Sequence, residues 1–87
     1  MTGRWVLSAP DAPSCGMNFA GAPGAHDGSI APEGGCPGNF FTSRHWTLRQ
    51  GALTINDHDN QPLARFTFAS GHFEGQAVAG TPMTLSR

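Results

Sequence analysis

The sequence predicts a small all-β protein, an eight-stranded antiparallel up-and-down β-barrel with one disulfide. Three observations lead there. Apolar residues recur with a period of two almost throughout, 12 Gly and 7 Pro interrupt those runs, and the chain carries only 2 Cys. Strict alternation marks strands with one buried face. So many turn residues leave little room for helices. Short strands spaced by turns about every 8–12 residues indicate a sandwich or a barrel. Simple sequential hairpins favour the barrel, which leaves no sheet edge exposed. Seven or eight strands can be counted.

In chain order, Trp5 and Leu7 alternate with Arg4, Val6 and Ser8, and Cys15, Met17 and Phe19 with Gly16, Asn18 and Ala20. Trp46 and Leu48 alternate with His45, Thr47 and Arg49, and Leu53 and Ile55 with Thr54 and Asn56. Leu63, Phe66 and Phe68 follow with a phase slip around Ala64, and Phe73, Gly75 and Ala77 precede Met83 and Leu85. The separators are turn chemistry: Ala9–Pro13, Gly21–Gly24, Gln50-Gly51, Asp57–Pro62, Ser70-Gly71 and Ala79-Gly80. A glycine within a strand, Gly75, marks a bulge or a close approach of backbone at a barrel corner. The least regular stretch runs from His26 to Phe41. Ile30 marks a candidate short strand there, Pro32–Gly38 reads as a loop, and Asn39–Ser43 reads either as a helical turn capped by Asn39 or as a strand. The inward set, Trp5, Met17, Phe19, Trp46, Leu53, Ile55, Phe66, Phe68 and Leu85, is bulky enough to fill so small a barrel. Trp5 and Trp46 read as core, each needing a partner for its indole N–H. Phe40-Phe41 reads either as a plug for one barrel end or as an exposed patch.

The 87 residues make one domain, residues 1–87. A chain this short buries only about 60–65% of its unfolded surface, so a staple helps. A bridge between Cys15 and Cys36 would close a loop of about 20 residues, worth roughly 3 kcal/mol in the chain-entropy view. The pair is isolated and shows no C-x-x-C spacing, which favours the bridge over two reduced, buried thiols. A bridge in turn places the protein in an oxidising compartment. Net charge is −1 with 5 scattered basic residues, so the basic stripe of a nucleic-acid binder is missing. No apolar run approaches the roughly 18 residues of a membrane helix, and no signal-peptide pattern stands at the start.

No catalytic or metal-binding pattern emerges, so no enzyme activity, cofactor or metal is expected. His26, His45, His58 and His72 share no helical i, i+4 spacing and no zinc-ligand spacing with Cys or carboxylates. His45 and His72 lie at polar phase and read as solvated. Asp57-His58-Asp59-Asn60 faintly resembles the start of a calcium loop, but Phe68 stands where the bidentate Glu belongs, so a hairpin turn explains it better. Ser14, Ser29, Ser43, Ser70 and Ser86 have no nucleophile-elbow context. Gly34-Gly35 lacks the Lys-Ser/Thr of a phosphate loop.

Taken together, Trp5-Val6-Leu7, Cys15, Cys36, Trp46, Gly51–Ile55, Asp57, Leu63–Phe66, Phe73-Glu74-Gly75 and Met83–Arg87 resemble the bacterial Inh-type metalloprotease inhibitors. The match runs from about Gly3 to Arg87, and its ending is most similar to the outer-membrane lipoprotein branch of that family. The resemblance implies a compact eight-stranded barrel with Cys15 and Cys36 as the family's disulfide pair. It also implies inhibition of serralysin-type zinc proteases, with a tail ahead of the first strand entering the protease cleft and meeting its zinc. The lipoprotein relatives are broader protease inhibitors tethered by a lipidated cysteine.

Only Met1-Thr2-Gly3-Arg4 precede Trp5 here, and Cys15 is needed for the bridge. The chain therefore reads as such a barrel with its N-terminal tail and anchor absent, and no zinc-capture role carries over to a residue. Thr2, Gly3 and Arg4 are the candidate protease contacts. The expectation is a monomeric protease-inhibitor barrel of the bacterial cell envelope, periplasmic or held at the outer membrane by a lipid anchor absent from this chain. Its partner would be a secreted or host protease of metallo- or serine-type. The alternative is a non-inhibitory structural or small-ligand-binding barrel, since eight strands can just enclose one small ligand.

Overall fold

A computed structural model describes residues 2–10, 12–36 and 40–87. The strands are β1 (Gly3–Ser8), β2 (Cys15–Ala20), β3 (Asp27–Pro32), β4 (Ser43–Arg49), β5 (Ala52–Asp57), β6 (Pro62–Ala69), β7 (His72–Ala77) and β8 (Pro82–Ser86). They close in sequence order into an antiparallel barrel. Ile30 does lie in a strand. The ambiguous Asn39–Ser43 stretch resolves into a short 3-10 turn over Phe40–Thr42, with Ser43 opening β4. The proposed cap, Asn39, lies outside the described residues.

The strand ends fall at two rims. At the amino-terminal rim β1 begins, the Gln50-Gly51 and Ser70-Gly71 hairpins turn, and β8 ends. Both residues of each of these hairpins have positive φ: Gln50 at 53° and Gly51 at 78°, Ser70 at 53° and Gly71 at 86°. That turn geometry matches the right-handed twist of the flanking strands. At the opposite rim lie the β1–β2 loop, the segment between β3 and β4, and the turns after β5 and β7.

The interior is filled. Leu7, Met17, Trp46, Leu53, Ile55, Phe66 and Leu85 are almost wholly inaccessible, with Trp5, Phe19, Ile30 and Phe73 packed around them. The phase slip around Ala64 is a β-bulge: Ile55 pairs with Ala64 and Asn56 with Pro62, leaving Leu63 as the extra residue. Both Leu63 and Ala64 consequently face inward, as a two-against-one bulge allows. Phe68 corrects the expected core. It keeps the inward phase of Phe66, but two residues further on the strand has reached the rim, and Phe68 is 54% exposed. Gly75 is a close approach rather than a bulge. The β6–β7 register runs through it without a shift, and an added Cβ would collide with the carbonyl of Arg65.

Cys15 and Cys36 are bridged. The staple ties the start of β2 to the irregular segment after β3, which the sequence leaves without regular pairing. The Phe40-Phe41 alternatives divide between the two residues. Phe40 is buried and plugs the opposite rim, whereas Phe41 points outward and is 60% exposed. The calcium-like run is a hairpin turn, in which Asp57 Oδ1 accepts the backbone N–H groups of Asp59 and Gln61, both at 2.9 Å. The two tryptophans also differ. Trp46 Nε1 donates to the Ala20 carbonyl at 3.1 Å, whereas buried Trp5 Nε1 has no hydrogen-bond partner among the described residues.

Candidate functional site at the amino-terminal rim

Barrel closure is incomplete where the chain begins. β1 pairs with β2 from Gly3 to Leu7, but with β8 only at Val6, Leu7 and Ser8. Gly3, Arg4 and Trp5 thus project past the end of the β8 ladder with a strand partner on one side only. On the other side stands the side chain of Arg87. Its Nη2 donates to the Thr2 carbonyl at 2.9 Å, and its guanidinium lies 5.0 Å from the centre of the Trp5 ring. A cation over an indole face is attracted by the ring quadrupole.

Beneath Arg87 runs a row of aromatic rings. Trp5 meets Phe73 edge-on, with centroids 5.4 Å apart, and Phe73 meets Phe68 in the same manner at 5.0 Å. Trp5 and Phe73 are buried, so they form a rigid base under the half-exposed Phe68. The site is therefore an exposed aromatic on packed support, beside the point where the chain enters the barrel. Aromatic residues, Phe among them, are enriched at the cores of protein interfaces.

Of the candidate protease contacts, Thr2 and Gly3 lie at this rim. Arg4 extends over the outer wall instead. Its guanidinium makes a bidentate pair with Glu33, Nε to Oε2 at 2.8 Å and Nη2 to Oε1 at 3.0 Å. Asn18 Nδ2 adds a third donor to Glu33 at 3.2 Å. The hydrogen bond from Arg4 first, then that from Asn18, holds the Glu33 carboxyl below its ordinary range. The pair lies across Gly16, where an added Cβ would sit 2.5 Å from Glu33 Oε1 and 2.6 Å from Arg4 Nη2. Arg4 thus straps the outside of β1, β2 and the end of β3.

On the outer face of the same rim His72, the first residue of β7, lies 3.1 Å from Glu74. The hydrogen bond with Glu74 raises the imidazole above its ordinary value, against an opposing effect of burial. Among the described residues no group of three or more His, Cys, Asp or Glu is gathered to hold a metal ion. The rim offers apolar and hydrogen-bonding contacts.

Sequence reasoning missed two members of the site, Phe68 and Arg87. A signal for Phe68 existed: it is the last inward-phase residue before the Ser70-Gly71 turn, and such a position lies at a barrel mouth. Nothing local marks Arg87, because its partners Thr2 and Trp5 are at the far end of the chain.

The fold is similar to that of a solved protein described as a psychrophilic marine protease MP inhibitor. The two share 14% sequence identity with a TM-score of 0.64, over 99% of this chain and 92% of the other. At that identity the likeness speaks for the fold alone. No curated protein sequence matches the chain. The match that reaches further is to the family described as Protease inhibitor Inh, which extends over residues 1–87. With the barrel and its single staple, this makes the chain a member of the Inh protease inhibitor family.

Proposed function

We propose that this protein inhibits a protease by setting its amino-terminal rim against the protease surface while the backbone around Thr2 and Gly3, and residues ahead of them, extend into the cleft. The observation that carries the reading is the meeting, at one rim, of the start of β1 with the half-exposed Phe68. The family supports a protease as the partner. An extended segment in a cleft binds largely through main-chain hydrogen bonds. A stapled, closed barrel adds preorganisation, so little conformational entropy is lost on docking. Arg4, held by Glu33, contributes its backbone to such a contact and keeps its side chain on the barrel wall.

The disulfide supports an oxidising compartment, and in this reading the protein works in the bacterial envelope, tethered like the lipoprotein relatives it resembles. A filled interior favours this reading over a carrier of small ligands.

The test is an inhibition assay against a serralysin-type zinc protease and a trypsin-like serine protease. It compares residues 1–87 with the same chain carrying an added extended segment of several residues ahead of Met1. Inhibition strengthened by the longer form is the expected result. Phe68→Ala in that form should weaken inhibition by about tenfold or more, as truncating a central aromatic contact does. Equal potency of the Phe68→Ala and unaltered forms removes the rim from the interface. Inhibition of neither protease by either form overturns the reading.

A further inference from the structure

We propose that Arg87 is a positioning residue for inhibition, a clasp that sets the direction in which the chain ahead of β1 leaves the barrel. The inference rests on the proposed inhibitory role of that segment. Three observations converge on one side chain. Arg87 holds the Thr2 carbonyl at 2.9 Å across 85 residues of sequence. Its guanidinium carbon lies over the buried Trp5 ring, 5.0 Å from the centroid, so the ring supports the side chain from below. And it occupies the space left by the missing side chain of Gly3, where a Cβ would come within 2.5 Å of Nη2.

The backbone at Gly3 makes that space matter. Gly3 has φ of 101°, a region that L side chains rarely adopt. The first residue of β1 therefore takes a glycine-favoured backbone conformation, and its close approach to Arg87 is possible only because residue 3 is glycine. β8 stops pairing at Ser86 opposite Val6, so no ladder hydrogen bonds hold Gly3, Arg4 and Trp5 on this side. One side-chain hydrogen bond and one cation–ring contact replace them. Loss of the clasp leaves the barrel wall intact and frees the segment ahead of it.

A segment whose exit is fixed loses less conformational entropy on entering a cleft than one that swings freely. Arg87→Ala in the upstream-extended form should therefore weaken inhibition by about tenfold, the equivalent of about 1.4 kcal/mol. Thermal stability should be nearly unchanged. Arg87→Lys keeps a donor and the charge but loses the broad, planar guanidinium, and should fall between the two.

Backbone amide relaxation gives a readout that does not depend on any protease. Thr2 and Gly3 should be as ordered as β1 in the unaltered protein and mobile in Arg87→Ala. Mobile Thr2 and Gly3 in the unaltered protein overturn the clasp. Ordered residues that become mobile in Arg87→Ala with an unchanged inhibition constant overturn its positioning role. If the extended form inhibits neither protease, the functional reading fails and the positioning role falls with it, while the relaxation data still decide whether the clasp exists.

Discussion

The two ends of this barrel are closed in opposite ways. At the opposite rim a covalent bridge joins Cys15 to Cys36, Phe40 plugs the interior, and Asp57 ties its turn with two backbone hydrogen bonds. At the amino-terminal rim the buried Trp5 indole N–H has no partner among the described residues, one arginine stands where a strand ladder would continue, and Phe68 is half out in solvent. The stapled end holds the fold, and in the proposed reading that leaves the other end free to present an aromatic surface to a protease. A small domain whose core supplies little surplus stability gains from such a division, because an exposed aromatic such as Phe68 contributes little to folding.

Two phenylalanines put the comparison to its most direct test. Phe40→Ala empties a buried site at the stapled end and should cost about 3–5 kcal/mol in denaturant unfolding; a near-neutral result would mean that Phe40 is no plug. Replacing both Cys15 and Cys36 by Ser should lower stability by about 3 kcal/mol on the chain-entropy account. Amide exchange should then quicken first around β2 and the segment after β3. Exchange that quickens first at the amino-terminal rim would reverse the assignment of the two ends. Phe68→Ala should cost less than about 1 kcal/mol, in the range of surface substitutions. A loss as large as that of Phe40→Ala would make Phe68 a core residue after all.

The smallest expected effect distinguishes the ends by pH. The Glu74 hydrogen bond raises His72 at the amino-terminal rim above its ordinary value. A raised folded-state value means that protonated His72 stabilises the fold. That contribution is complete below the ordinary histidine value and disappears as pH rises through the folded-state value. The imidazole resonances of His72 should therefore titrate above those of a free histidine, and Glu74→Gln should bring the midpoint down. A midpoint unmoved by Glu74→Gln would remove the pair as the cause.

Much of this molecule was legible from alternation alone. Trp5 and Leu7, Met17 and Phe19, and Leu53 and Ile55 each announced a strand and its buried face, because side chains on a strand must alternate. The slip at Ala64 announced the bulge that turns both Leu63 and Ala64 inward. The Gln50-Gly51 and Ser70-Gly71 hairpins were legible because tight turns select residues that accept positive φ. The segment from His26 to Phe41 was not. The order of its described residues derives from the disulfide, from ladders of β3 with β2 and, at only Asp27, Gly28 and Ser29, with β4, and from the burial of Phe40. None of these has a local period.

The sequence by itself determined the all-β class, the order of the strands, most of the core and the family, since these follow from periodicity, turn chemistry and the spacing of a few motifs. Tertiary structure alone decided which inward residues are truly enclosed. Phase assigns a side chain to a face of the sheet, but only the length of the strand relative to the barrel says whether that face is core or mouth, and Phe68 falls at the mouth. It also decided the clasp of Arg87 on Thr2 and Trp5 and the strap of Arg4 on Glu33. These join residues far apart in sequence, and only closure of the barrel brings them together.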